Sequence, residues 1–334
     1  MTGRPPYRVP TMAEVRALPW NGLAVASLFA GGGGSSTGYR MAGFRVAWAN
    51  DVVPEALATY GANSAPHTLL DDRDVREVRG SALLDAAEAL TGRRELDVLD
   101  GSPPCQAFSL AGPRDRGWGH EVAHADGTTQ RSDDLFFEYA RLLDEVRPRA
   151  FVAENVPGLL RGVARGYFKR ILAALRAPGY RVACRLVSAD WLGVPQARDR
   201  AVFVGVRDDL PSEPAFPRPL PWRYALADVV PGCLRVEAEG YGKLHVVDAR
   251  EPCRTITASG FSAFGDSYRL VMADGERRRF TLDELKAVCS FPPDYVLTGS
   301  YREGWTRLGN SVPPLLMRAV AETVRDRVLA GAAR

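Results

Sequence analysis

The sequence predicts an α/β protein, an open sheet flanked by helices, with a second, smaller domain toward the C-terminal side. Three observations carry this. Ala24 to Ala42 reads as an apolar strand, a glycine turn (Gly31-Gly32-Gly33-Gly34) and a helix. Two more apolar runs, Leu96 to Leu99 and Ala150 to Ala153, each deliver polar or reactive residues at their carboxyl ends, where open α/β sheets line their ligand crevice. Prolines then crowd the span from Pro211 to Pro231, and the composition beyond it turns short, turn-rich and mixed.

The chain has 334 residues, 46% hydrophobic, which suits about two domains of ordinary size. The start is polar and carries prolines, and no stretch approaches the ~20 apolar residues of a membrane span. The expectation is a cytoplasmic protein, nucleoid-associated if bacterial or phage, with no membrane partner. Five cysteines with no C-x-x-C pair suggest neither a disulfide framework nor structural zinc. His120 and His124 have helical spacing inside a loop-like run with no third ligand, so no metal is expected. Net charge is only +3, but the cations are nearly all arginine and cluster at 114–116, 161–170, 198–207 and 277–279. Arginine's planar fork suits phosphate, which hints at nucleic acid; an ordinary charged surface has the same composition.

In chain order, residues 1–20 form a Pro/Arg arm. Residues 21–207, completed by 305–334, form the catalytic and cofactor-binding domain, and 208–304 the small one. After the glycine turn, a strand from Arg45 to Asn50 ends at Asp51, a carboxylate placed to accept from ribose hydroxyls or to start the helix Pro54 to Tyr60. A helix from Ser81 to Leu90 leads to the run ending in Pro103-Pro104-Cys105-Gln106, where a stiff turn would present the Cys105 thiol as a nucleophile. A buried, inert cysteine is the alternative. Gly112 to Arg131 has no apolar period and reads as a lid. Asp133 can cap a helix carrying Leu135, Phe136, Tyr139, Leu142, Leu143 and Val146, and the following strand ends in Glu154-Asn155. Strands from Val182 to Val187 and Ala201 to Val206 flank Gln196-Ala197-Arg198-Asp199-Arg200, whose two arginines would face one side. A closing helix carries the stripe Leu316, Val320, Val324 and Val328, which must bury itself, plausibly on the first domain.

In this order the segments resemble the cytosine-C5 DNA methyltransferases from Val25 to Met317. The matches are Phe29-Ala30-Gly31-x-Gly33-Gly34, Pro104-Cys105-Gln106, Glu154-Asn155-Val156, Gln196-x-Arg198-x-Arg200 and Gly309-Asn310-Ser311-Val312-Pro313. The resemblance implies a Rossmann-like, S-adenosylmethionine-dependent methyltransferase domain with a parallel-rich sheet, and a target-recognition domain that reads double-stranded DNA. It implies that Phe29, Gly31, Gly33 and Gly34 approach the methionine part and that Asp51 and Val52 take the ribose. Asp74 and Val75 would take the adenine, with Pro104, Asn310 and Ser311 in the same pocket. Catalysis falls to Cys105, Glu154, Arg198 and Arg200, and substrate binding to Gln106, Ser109, Asn155, Gln196, Arg254 and Thr255. The implied product is 5-methylcytosine, formed through a Cys105–C6 adduct on a flipped base.

Ser27 departs from the pattern, standing where many relatives carry an acid. The short span 208–251 suggests a short or relaxed target sequence. A monomer is expected, and a cognate restriction endonuclease is not inferable from this chain. The alternatives are tRNA cytosine methylation by the same site and a catalytically silent relative; intact Cys105, Glu154, Arg198 and Arg200 oppose the second.

Overall fold

The computed structural model describes residues 3–104, 122–123, 129–130, 135–160, 165–240, 243–258 and 268–330. Its first helix, α1 (Met12–Ala17), starts on a capping box between Thr11 and Glu14, which satisfies N–H groups the first turn leaves free. The glycine-turn unit follows as β1 (Ala24–Leu28), α2 (Gly34–Met41) and β2 (Arg45–Asn50). Then come α3 (Pro54–Asn63), β3 (Leu69–Asp71), α4 (Gly80–Thr91) and β4 (Val98–Gly101). A ladder of β5 (Val122–Ala123) with β6 (Thr129–Gln130) is the described part of the segment expected to be a lid; the rest lies outside the described residues, as do His120, His124 and Asp133. Next are α5 (Leu135–Val146), β7 (Ala150–Asn155), α6 (Arg165–Arg176), β8 (Tyr180–Ser188), β9 (Gln196–Ala197) and β10 (Asp199–Arg207).

Seven strands form one sheet in the order β3-β2-β1-β4-β7-β10-β8. The first five run parallel; β10 is antiparallel to both β7 and β8. Their carboxyl ends therefore share one edge, which is where Asp51, Pro103 and Glu154 fall. The sheet is apolar on both faces, as a sheet covered by helices must be. One face packs Tyr39, Met317, Val320 and Val324 against Val25, Val98 and Val152, and the other packs Leu83, Tyr139, Leu143 and Ile171 against Leu99 and Phe151.

The second sheet is antiparallel, in the order β12-β11-β14-β15, from β11 (Cys233–Gly240), β12 (Lys243–Asp248), β14 (Tyr268–Met272) and β15 (Arg277–Arg278). Between them β13 (Cys253–Arg254) pairs in parallel with β9, which stitches the two halves of the chain together. The helices α7 (Leu282–Val288) and α8 (Tyr301–Asn310) bury Leu285, Val288, Trp305 and Leu308 in the third apolar cluster, with Met12. Thus α8 belongs to the smaller core, and the return to the large sheet begins with α9 (Pro314–Thr323). There the stripe Leu316, Val320, Val324, Val328 is fully buried, its last residues in a π-helical turn, Val324–Leu329.

The N-terminal arm is tied down rather than free. Arg4 donates to the Arg223 carbonyl and pairs with Asp228, the Tyr7 hydroxyl donates to the Ala287 carbonyl at 2.7 Å, and the Tyr7 ring meets Tyr224 edge-on at 5.1 Å.

Candidate active site

The turn after β1 is built around backbone that few side chains tolerate. Phe29, Gly31 and Gly33 all have positive φ (53°, 52° and 85°), and Phe29 holds that conformation despite its side chain. Among the described residues a Cβ on Gly31 would meet nothing within 4 Å. At Gly33 a Cβ would lie 2.6 Å from the Tyr295 hydroxyl oxygen, and at Gly34 it would strike the Val312 carbonyl. Glycine is therefore needed at 34 so that the Ser311–Val312 segment can return against α2, which brings Ser311 to the turn. The Ser311 hydroxyl itself donates to the Arg307 carbonyl, and Asn310 is exposed. Tyr295, from the segment after α7, donates to the Gly32 carbonyl at 2.5 Å and so holds the turn from its far side.

Asp51 stands beside this turn. One carboxylate oxygen accepts from the Gly31 N–H at 2.7 Å and the other from the Val53 N–H at 3.0 Å, Val53 being the N-cap of α3. Asp51 thus links the glycine turn to the helix start, as the helix-start reading expects. Asn50, not singled out in the sequence, donates to the Asp71 and Arg73 carbonyls and sets the loop carrying Asp74. The Asp74 carboxylate accepts from the Arg76 N–H at 2.9 Å, Val52 is half-buried, and the Val75 side chain lies in the core, leaving only its backbone toward a ligand.

On the other side of β4 the chain reaches Pro104, and Cys105, Gln106 and Ser109 lie outside the described residues. The turn leading to them is gripped by Asn155, whose amide donates to the Pro103 carbonyl at 3.0 Å while its oxygen accepts from the Val156 N–H. Glu154, at the end of β7, sits 2.5 Å from Arg200 Nε, and both side chains are mostly buried. Arg200 Nε meets the carboxylate oxygen Glu154 Oε1 as an ion pair, and among the described residues no donor is aligned for a hydrogen bond to that oxygen.

Four sequence expectations change here. Arg198 was expected to hold the base beside Arg200. Its guanidinium is instead fully buried and donates to the carbonyls of Ile256 (2.9 Å), Gly309 (2.8 Å) and Ser311 (3.0 Å). Burial first, and then Arg200 nearby, push its pKa down to about 9. Gln196, expected at the substrate, is fully buried and accepts from the Ile256 N–H at 3.1 Å. Thr255 spends its hydroxyl on the Ala197 carbonyl at 2.7 Å, and Asn155 spends its amide on Pro103. All four lock backbone to backbone, because the β9–β13 seam and the Pro103 turn bring carbonyls into the interior that need donors. Arg254 remains exposed.

Solved structures share this architecture. An Escherichia coli prophage-encoded DNA modification methyltransferase aligns with a TM-score of 0.70 over 92% of this chain and 99% of its own, at 19% identity. Spodoptera frugiperda DNMT2 aligns with a TM-score of 0.64 over 91% and 98%, at 17% identity. The fold, with its glycine turn and acid-tipped strands on one edge, is that of a Rossmann-like methyltransferase. The chain belongs to the C-5 cytosine-specific DNA methylase family, whose model matches residues 23–232 and 233–326. It is a methyltransferase acting on cytosine in DNA. Its relatives include the type II methyltransferase M.AplI of Arthrospira platensis, 31% identical over 91% of this chain and 86% of that protein. M1.HphI of Haemophilus parahaemolyticus is 30% identical over 90% and 86%.

Proposed function

We propose that the protein moves a methyl group from S-adenosylmethionine to C5 of a cytosine flipped out of duplex DNA, through a covalent bond between Cys105 and C6. The observation that carries this is the Glu154–Arg200 pair, buried at the sheet edge next to the Pro103 turn, with no donor aligned to Glu154 Oε1 among the described residues. The residues also fit the cofactor: Gly31, where no described residue would meet a Cβ within 4 Å, a helix N-terminus behind it, and Asp51 at the end of β2. When bound, that group supplies an electrophilic methyl on a sulfonium.

Cytosine C5 is a poor nucleophile. Addition of the Cys105 thiolate to C6 makes the ring enamine-like, and the negative charge that develops is met by a proton that Glu154, in its acid form once the base has entered, gives to N3. Arg200, already beside Glu154, holds the O2 carbonyl. C5 then takes the methyl group; water removes the C5 proton, the C5–C6 double bond re-forms as the Cys105 thiolate leaves, and N3 returns its proton to Glu154, leaving 5-methylcytosine. Arg198 and Gln196 act through position, fixing the Ile256 and Gly309–Ser311 backbone around Arg200. Flipping costs a few kcal/mol of unstacking. The smaller sheet, with Arg254 exposed at the seam, is assigned to the duplex.

The test is incubation with S-adenosylmethionine and duplex DNA bearing 5-fluorocytosine, which has no C5 proton to lose. A denaturing gel should show protein bound to DNA, with peptide mapping placing the link at Cys105 and no shift for Cys105→Ser. Absence of any adduct from protein that binds the cofactor would overturn the covalent route, and an adduct on tRNA alone would move the substrate.

A further inference from the structure

One buried acid takes no part in the steps above. Asp100 is the third residue of β4, at the centre of the sheet, and is almost wholly shut off from water. Strand alternation puts it on the same sheet face as Val98. Its register partner across β1 is Ser27, and on β7 it is Val152, one same-face step before Glu154. One carboxylate oxygen accepts two hydroxyls, Ser27 at 2.9 Å and Ser35 at 2.7 Å. Ser35 lies in the first turn of α2, immediately behind Gly33 and Gly34. A polar row therefore crosses an otherwise apolar face, running from the glycine turn through Asp100 to Glu154 and Arg200.

We propose that Asp100 is a positioning residue for the cofactor turn, its carboxylate pinning α2 to β1 behind the glycines. An ionised acceptor holds hydroxyls about twice as strongly as a neutral one, so the grip depends on the charge. Desolvation raises the Asp100 pKa to about 7; the Ser35 and Ser27 hydroxyls oppose that rise, and Glu154 adds to it. Among the described residues the other titratable groups near it are Tyr39 from α2, on the same face, and Tyr139 from α5, across the sheet, both buried phenols whose pKa burial raises. Ionised Asp100 also favours a cationic ligand at the turn. Affinity for S-adenosylmethionine should then fall as pH drops through 7. The departure at Ser27 gains a meaning as well: the carboxylate absent from β1 stands one strand over, hydrogen-bonded to the serine that replaced it.

This inference rests on the S-adenosylmethionine reading above, and calorimetric binding to the full chain between pH 5.5 and 8.5 tests it. For the native protein the dissociation constant should rise several-fold from pH 8 to 6, within the limit of about tenfold per pH unit for one proton. Asp100→Asn should bind about tenfold more weakly at pH 8 and lose the pH dependence. The exchange Ser27→Asp with Asp100→Ser keeps one carboxylate and one hydroxyl across the same register pair and should restore most of the affinity. Infrared difference spectra of native protein minus Asp100→Asn, without cofactor, should show a carboxyl titrating near neutrality. A folded Asp100→Asn with native affinity and native pH profile would overturn the proposal while leaving the cofactor reading intact. Native protein that binds no S-adenosylmethionine at any pH would overturn both.

Discussion

Arg198 and Arg200 are two residues apart, and the surroundings of each decide what it can do. Around Arg198 the seam between the two sheets is closed: both terminal nitrogens donate to carbonyls, and Gln196 beside it bonds the Ile256 backbone. Around Arg200 one terminal nitrogen donates to the neighbouring Asp199 carbonyl, and Nε faces a carboxylate whose oxygen has no aligned donor among the described residues. A side chain whose donors are spent on backbone maintains shape, while a buried charge pair with no donor aligned to its carboxylate can receive a substrate. Identical chemistry at 198 and 200 thus ends on backbone carbonyls from distant segments in one place and against a carboxylate in the other.

The largest effect should come from Cys105→Ser, which removes a thiolate that an alkoxide cannot replace at neutral pH. Turnover with labelled cofactor should vanish while calorimetric cofactor binding stays within about twofold. Glu154→Gln comes next, with kcat reduced by roughly 10²–10⁴, because the amide cannot give N3 a proton. If that variant kept native kcat, the sheet-edge side of the comparison would collapse.

Arg198→Ala should act through the fold instead, lowering stability in urea by about 2–4 kcal/mol as buried carbonyls lose their donors. Arg198→Lys should fail to rescue it, since one ammonium lacks the planar fork that reaches three carbonyls. Native stability together with a collapse in kcat would put Arg198 at the base after all. The smallest effect is expected for Asp51→Ala, a weakening of S-adenosylmethionine binding by roughly 1.5–3 kcal/mol, read as a change in dissociation constant. An unchanged constant would leave Asp51 only its link to α3.

The sequence by itself determined the large sheet and which residues end its strands. Period-two and period-3.6 patterns, glycine at 31–34 and acids at strand ends are local signals, and β1, α2, β2, β4, β7 and the buried stripe of α9 all follow them. Glu154 and Arg200 were legible because each closes or opens an apolar strand. Tertiary structure alone decided which polar residues are spent inside. Gln196, Arg198 and Thr255 look available in polar segments, yet β9 pairs with β13, 57 residues on at Gln196↔Cys253, and that contact buries Gln196 and Arg198 and commits all three to backbone groups of distant segments. The docking of the N-terminal arm depends likewise on Asp228, Tyr224 and Ala287, far away in sequence. Asp100 was visible as a charge ending an apolar run, but only the pairing of β1 with β4 set Ser27 against it. Local pattern fixes which face a residue takes; its partners come from strands that meet only when the chain has folded.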